Sequence, residues 1–290
     1  MRSSYSYASY ERSVAKILTQ STGGRRGLIL SLEEVKGFYR RSSTTIPSWI
    51  DAGRKHYRFE LWNGRFLKLN RFENRIRPHE LAKYLVRYTP KHAYMSVLSW
   101  LFPERVGGRR KANNALPLDG TFLLDLDVKT ERFHHHTLTR HRVWEGCLRL
   151  AKFNTLRACD VIEENYQDYA IIFSGRKGFH VLIPFDAEDW TQYRVRDPLS
   201  TQAAGRYRYA WYLKRRGIWF DFRTSVDPLR VHSVPGSLNG DTGLIVKPIG
   251  QRRDLQERSI TQILDHANPA RFIHPPEYAQ VMVTLRSAPG

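Results

Sequence analysis

From Tyr57 to Phe72 the run YRFELWNGRFLKLNRF alternates apolar and polar residues on either side of Asn63-Gly64. An Asn-Gly pair between two alternating runs predicts a β-hairpin closed by a two-residue turn. RPHELAKYLVRY, before Pro90, carries its apolar residues at helical spacing, whereas AYMSVLSW and TFLLDLDV read as strands, the second largely buried and following the turn residues PLDG. Residues 137 to 156 place Val143, Cys147, Leu150 and Ala151 on one helical stripe. YAIIF and GFHVLIPF then give two more strands around a glycine-bracketed turn. GRYRYAWYLKRRG predicts a very basic helix, and Ser31 with Glu34 and Ser259 with Gln262 are capping boxes that start a short early helix and a last one. The pattern is that of an α+β protein. Residues 1–25, rich in Ser and Tyr, read as a loose tail, and residues 26–290 as one domain with its core motifs within 121–250.

Composition sharpens this picture. Forty-seven Lys and Arg against twenty-eight Asp and Glu leave a formal charge of +19, with aromatics at 12%. A field of that sign attracts polyanions, and aromatic side chains among the cations suit nucleic acid. Cys147 and Cys159 are the only cysteines, so no disulfide framework is expected and the chain reads as intracellular. No run of about 18 apolar residues is present, and neither a membrane span nor a secretory leader is expected.

Three segments carry candidate chemistry. Asp125 and Asp127, at i and i+2 of a strand, project from one face while Leu124, Leu126 and Val128 point to the other. Paired carboxylates suit hard Mg²⁺ or Mn²⁺ shared with substrate phosphates. Ser174 to His180 (SGRKGFH) joins two strands, and its glycines let backbone approach an anion while Ser174, Arg176, Lys177 and His180 offer donors and charge. The stretch from Phe220 to Leu244 adds Asp221, a candidate third carboxylate, and Arg230 and His232, which alternate with Val231 and could address phosphates or a template.

In order and wording these motifs resemble those of the archaeo-eukaryotic primase superfamily, in particular the small catalytic subunit of archaeal DNA primases and the primase-polymerases. DLD at Asp125, SGRKGFH at Ser174, and Asp221 followed by PGSLNGDTG at Pro235 match an acid-x-acid strand, an S-G-R-x-G-x-H turn and an acid before a P-G-S-L-H-G-K-T-G-like run. The resemblance covers roughly residues 55 to 250. It implies a largely antiparallel central sheet with flanking helices, on which Asp125, Asp127 and Asp221 bind two Mg²⁺ or Mn²⁺ ions while Ser174, Arg176, Lys177 and His180 hold the incoming triphosphate. It also implies a DNA primase or primase-polymerase acting on a single-stranded DNA template and nucleoside triphosphates in the cytoplasm, at a nucleoid or plasmid. A primase large subunit or a helicase is the protein partner it allows. An end-extending repair polymerase of the same superfamily and a non-catalytic nucleic-acid-binding module are the alternatives.

This chain also departs from the pattern. Asn239 stands where the family has a histidine, Asp241 where it has a basic residue, and Lys68 where an arginine often faces the nucleotide. The insertion between His180 and Asp221 is short. Zinc is not expected, because His134, His135, His136, His141 and Cys147 lack the paired-cysteine spacing of a closed zinc site.

Overall fold

A computed structural model describes residues 30–42, 46–69, 76, 78–106, 113–128, 140–191 and 197–269. Residues 1–25 and His134, His135 and His136 lie outside this set, as does the side chain of His141, so the tail and zinc expectations are not addressed by it.

Among the described residues eight strands form one sheet: β1 Lys55–Glu60, β2 Phe66–Lys68, β3 His92–Trp100, β4 Pro117–Asp125, β5 Ala170–Phe173, β6 Phe179–Phe185, β7 Val231–Ser233 and β8 Lys247–Gly250. Their order is β2-β1-β3-β4-β6-β5-β8 with β7 also on β3, and every pairing is antiparallel. The hairpin forms at Asn63-Gly64, but not with a two-residue turn: Glu60 pairs with Phe66 and Leu61 N–H donates to Arg65 O at 2.8 Å, so three residues, Trp62 to Gly64, close it, with Gly64 alone at positive φ, 76°, in the left-handed region that a glycine enters without a Cβ clash.

Among the described residues seven α-helices flank the sheet: α1 Leu32–Arg41, α2 Pro78–Tyr88, α3 Arg140–Ile162, α4 Pro198–Arg215, α5 Phe222–Val226, α6 Arg252–Glu257 and α7 Ile260–Ala267. Ser31 and Ser259 cap α1 and α7 in the boxes read from the sequence. Alternation along the central strands feeds two cores. Phe122, Leu124, Ile171 and Val181 pack with α3, α4, α6 and α7, whereas Leu123, Ile172 and Leu182 pack on the opposite face with α1 and α2. The sheet is thus sealed on both sides by apolar side chains, and the fold is α+β with a central antiparallel sheet and flanking helices.

One irregularity positions the site. With β1 along one edge of β3, the other edge is shared. Leu98 and Trp100 pair with Gly120 and Pro117 of β4, while Tyr94, Met95 and Ser96 pair with Ser233, His232 and Val231 of β7. The sheet therefore forks, and the C-terminal end of β4, with Asp125, separates from β3 around an inserted β7.

Candidate active site in the fork of the sheet

At the fork lies a cavity of about 170 Å³ lined by Asp125, Asp127, Ser174, Arg176, His180, Arg230, His232 and Asn239, together with Tyr94 and Thr224. Eight of the candidate residues thus meet at one place, drawn from three separate stretches of chain. Asp125 ends β4 opposite His180 of β6, its Oδ1 3.8 Å from His180 Nε2. Strand pairing continues one step further, the Leu126 N–H donating to Phe179 O at 2.9 Å. Asp127 consequently keeps the facing of Asp125 although it lies beyond the strand.

The SGRKG turn is closed by Ser174 N–H donating to Gly178 O at 3.1 Å. Gly175 sits at φ 75°, and a Cβ on Gly178 would stand 2.2 Å from Asp127 Oδ1 and 2.7 Å from Asp127 Cα. Gly178 is what lets the basic turn lie directly against the carboxylate. The PGSLNGDTG loop braces the same turn from the other side. Asn239 Nδ2 donates to Ser174 O at 3.3 Å and Thr242 Oγ1 to Gly175 O at 2.5 Å. Asn239 is thereby a buried structural clasp. Asp241 pairs with Lys91 at 2.8 Å, Arg176 at 3.5 Å and His92 at 3.6 Å. Burial works against its charge, but the Lys91 hydrogen bond and the charges of His92, Lys91 and Arg176 hold its carboxyl below the usual carboxylate range.

Burial, then the neighbouring Asp125, push the Asp127 carboxyl up, while His180, Lys177 and Arg176 act in the opposite sense. Lys177 thus lies in reach of the pair without lining the cavity. His232 is fully buried, and burial followed by the charges of His180 and Lys55 pushes it down to about 3. It is a neutral imidazole, so of the Arg230 and His232 pair only the exposed Arg230 brings positive charge.

Two candidates stand apart. Asp221 donates its backbone N–H to Asp125 O at 2.9 Å, but its carboxylate caps α5 by accepting from Thr224 N at 3.0 Å. Among the described residues no group of three or more His, Cys, Asp or Glu side chains is gathered closely enough to hold a metal. Lys68 is exposed on the edge strand β2 opposite Arg58 and does not line the cavity. Tyr94, on β3, and Thr224, on α5, line the cavity without having been singled out in the sequence; only the β3–β7 pairing brings Tyr94 there.

Whether a divalent ion suits the carboxylate pair can be judged from its hydrogen bonding. Asp125 Oδ1 and Asp127 Oδ1 are both buried and have no hydrogen-bond partner in the protein. Ser174 Oγ, His180 Nδ1 and His232 Nε2 share that condition, so five unsatisfied polar atoms belong to residues lining one cavity. Buried polar groups are otherwise nearly always paired. Two unpartnered hard oxygens with a raised carboxyl fit Mg²⁺ or Mn²⁺.

The fold and the site define a class, an α+β protein whose antiparallel sheet carries an acidic pair beneath a glycine-bounded basic turn. No family model matches the chain. It is 28% identical over 251 residues to the DNA primase small subunit PriS of Pyrobaculum arsenaticum, covering 75% of this chain and 77% of that one. It is 27% identical over 265 residues to the same subunit of Pyrobaculum calidifontis, covering 80% and 81%. The resemblance to the archaeo-eukaryotic primases, and within them to the archaeal small subunit, is borne out. Among solved structures the chain is similar to the polymerase domain of ligase D from Mycobacterium tuberculosis in complex with DNA, with a TM-score of 0.49, 11% identity, and 85% and 87% of the two chains covered. No helix among the described residues is long and apolar enough to cross a membrane.

Proposed function

We propose that the chain is a template-dependent nucleotidyltransferase of the primase kind, joining nucleoside triphosphates along a single-stranded DNA template at the fork of the sheet. The observation that carries this reading is the convergence of five unpartnered polar atoms of Asp125, Asp127, Ser174, His180 and His232 on one cavity. Similarity to archaeal primase small subunits over three quarters of the chain supports it.

Asp125 and Asp127 are the side chains that would hold Mg²⁺ or Mn²⁺, and a divalent ion there lowers the pKa of a 3′-hydroxyl and screens the phosphates that bind beside it. Asp221 is tied to Asp125 through its backbone, and its carboxylate would have to leave the α5 cap to join them. Ser174 Oγ and His180 Nδ1, both without protein partners, point to hydrogen bonding with phosphate oxygens. Arg176, half-exposed at the cavity, and Lys177 add charge to the same group. Neutral His232 can donate or accept without adding charge, and the exposed Arg230 at the cavity would meet a template or triphosphate oxygen. A large subunit or a helicase as protein partner is part of the same proposal.

The decisive experiment supplies an unprimed single-stranded template, Mg²⁺ or Mn²⁺, and labelled ribo- or deoxynucleoside triphosphates, and sizes the products. New short strands are expected. Extension of a supplied 3′ end with none on unprimed template would move the reading to an end-extending polymerase, and no incorporation on either would remove the catalytic reading.

A further inference from the structure

On α4, Tyr207 and Trp211 are one turn apart and Lys214 follows on the same face. Phe222, the first residue of α5, closes a ring cluster with them: its centroid is 5.5 Å from Tyr207 and 5.7 Å from Trp211, and Tyr207 and Trp211 are 6.2 Å apart. Lys214 Nζ sits 4.6 Å from the Trp211 centroid and 5.6 Å from that of Phe222. This cluster is not core. Tyr207 is 50% exposed and Trp211 36%, and Trp219, three residues before Phe222, is 58% exposed. The Trp219 backbone is held on both sides by the buried Asn154, whose Nδ2 donates to Trp219 O at 2.5 Å and whose Oδ1 accepts from Trp219 N at 3.3 Å.

Exposed aromatic surface of this extent marks an interaction face, and its charge selects the partner. The eighteen residues of α4 include no Asp or Glu, Lys214 lies over the rings, and Arg215, one turn beyond Trp211, and Arg223, next to Phe222, are exposed. Position makes the same choice. Phe222 directly follows Asp221, whose N–H is bonded to Asp125 O, so the ring cluster borders the carboxylate pair.

We infer that the α4–α5 face is a stacking platform for the unpaired bases of a nucleic-acid strand entering or leaving the cavity, with Tyr207 and Trp211 as its rings, the exposed Trp219 of the segment between the two helices as a further ring, and the neighbouring cations for its phosphates. Lys214 has a long, flexible stem, so a base arriving on Trp211 displaces its ammonium toward a backbone phosphate. This inference rests on the nucleic-acid reading above and adds where, and by what contact, the strand is held.

The test measures binding of the full chain to a labelled single-stranded oligonucleotide, to the same oligonucleotide with abasic positions, and to a duplex of equal length. Stacking on one ring is worth about 1–3 kcal/mol, so Tyr207→Ala, Trp211→Ala and Trp219→Ala are each expected to weaken single-strand binding roughly 5- to 150-fold, with duplex binding nearly unchanged. The unaltered protein should bind the abasic strand about as weakly as the alanine variants bind the intact one, and Trp211→Phe, which keeps a ring, should recover most of the loss. Should alanine variants fold poorly, the abasic comparison on the unaltered protein decides alone. Equal binding of intact and abasic strands, or equal losses on single strand and duplex, overturns the platform while leaving the template reading in place. No binding to any single strand overturns both, and an unchanged single-strand affinity in every variant assigns the face to a protein partner.

Discussion

Gly178 and Asp127 are packed so closely that there is no room between them for a methyl group: a Cβ on Gly178 would meet Asp127 Oδ1 at 2.2 Å, Asp127 Cα at 2.7 Å and Leu126 O at 2.8 Å. Two of these three atoms are backbone, so the clash cannot be relieved by a rotamer change. The basic turn and the carboxylate strand are therefore fixed to each other at a single point.

Gly178→Ala should force them apart. Overpacking of this kind costs about 1–3 kcal/mol, read as a lower urea midpoint, and incorporation should be lost because Asp127 no longer faces Asp125. Normal stability with normal synthesis would show that the contact is not a constraint.

Asp127→Asn separates the role of the charge from that of the fold. The buried carboxyl beside Asp125 is uncomfortable when charged, so in the absence of metal the amide should raise stability by roughly 1 kcal/mol, a few degrees in melting temperature. Mn²⁺ should stabilise the unaltered protein, by about 2.7 kcal/mol at a hundredfold excess over Kd, and leave the variant unmoved. Equal stabilisation of both would remove Asp127 from the metal site.

Asp241→Asn should release Arg176 and Lys91. Arg176 is half-exposed, where ion pairs are worth about 0.2–1 kcal/mol, so nucleotide affinity should tighten by about 1.4- to fivefold, most visibly at low salt. Weaker nucleotide binding in this variant would show instead that Asp241 holds Arg176 in its working position.

His56 gives the fold an acid limit. It is buried, its Nδ1 is 3.3 Å from Pro103 O, and burial, with the charge of Lys68 next, pushes it down to about 4. An unfolded histidine titrates near 6.5, so between about pH 6.5 and 4 the unfolded chain binds the extra proton and stability falls as pH falls. The full effect is roughly 3–4 kcal/mol at about 1.36 kcal/mol per unit. Denaturant midpoints at pH 7 and pH 5 should converge in His56→Asn compared with the unaltered protein, and an unchanged difference would assign the acid limit to other groups.

The sequence made some of this visible and not the rest, for physical reasons. Local chemistry was legible: Ser31 and Ser259 cap helices, Asn63-Gly64 turns a hairpin, and Asp125 and Asp127 share a facing. The basic helix begins at Pro198, well before GRYRYAWYLKRRG, because Asp197 caps it and Pro198 takes the first position, a start signal that the charged run obscured. The PLDG residues join β4 because strand pairing with β3 overrides their turn preference. What no local pattern carries is competition between partners. Asp221 reads as a third carboxylate, yet its side chain satisfies the Thr224 N–H at the start of α5. Asp241 reads as a missing cation, yet it pairs with two cations, Lys91 and Arg176, from two distant segments, and lies beside His92.

The fork at β3 has a last consequence. Each residue along that strand has one outward edge, so a rung given to β7 is withheld from β4, and the mouth of the cleft is measured in whole residues between Ser96 and Leu98. A slip of one residue would also turn each side chain of β7 to the opposite face. The branch point of this site is therefore set in whole residues, and moving it along β3 would require a different register.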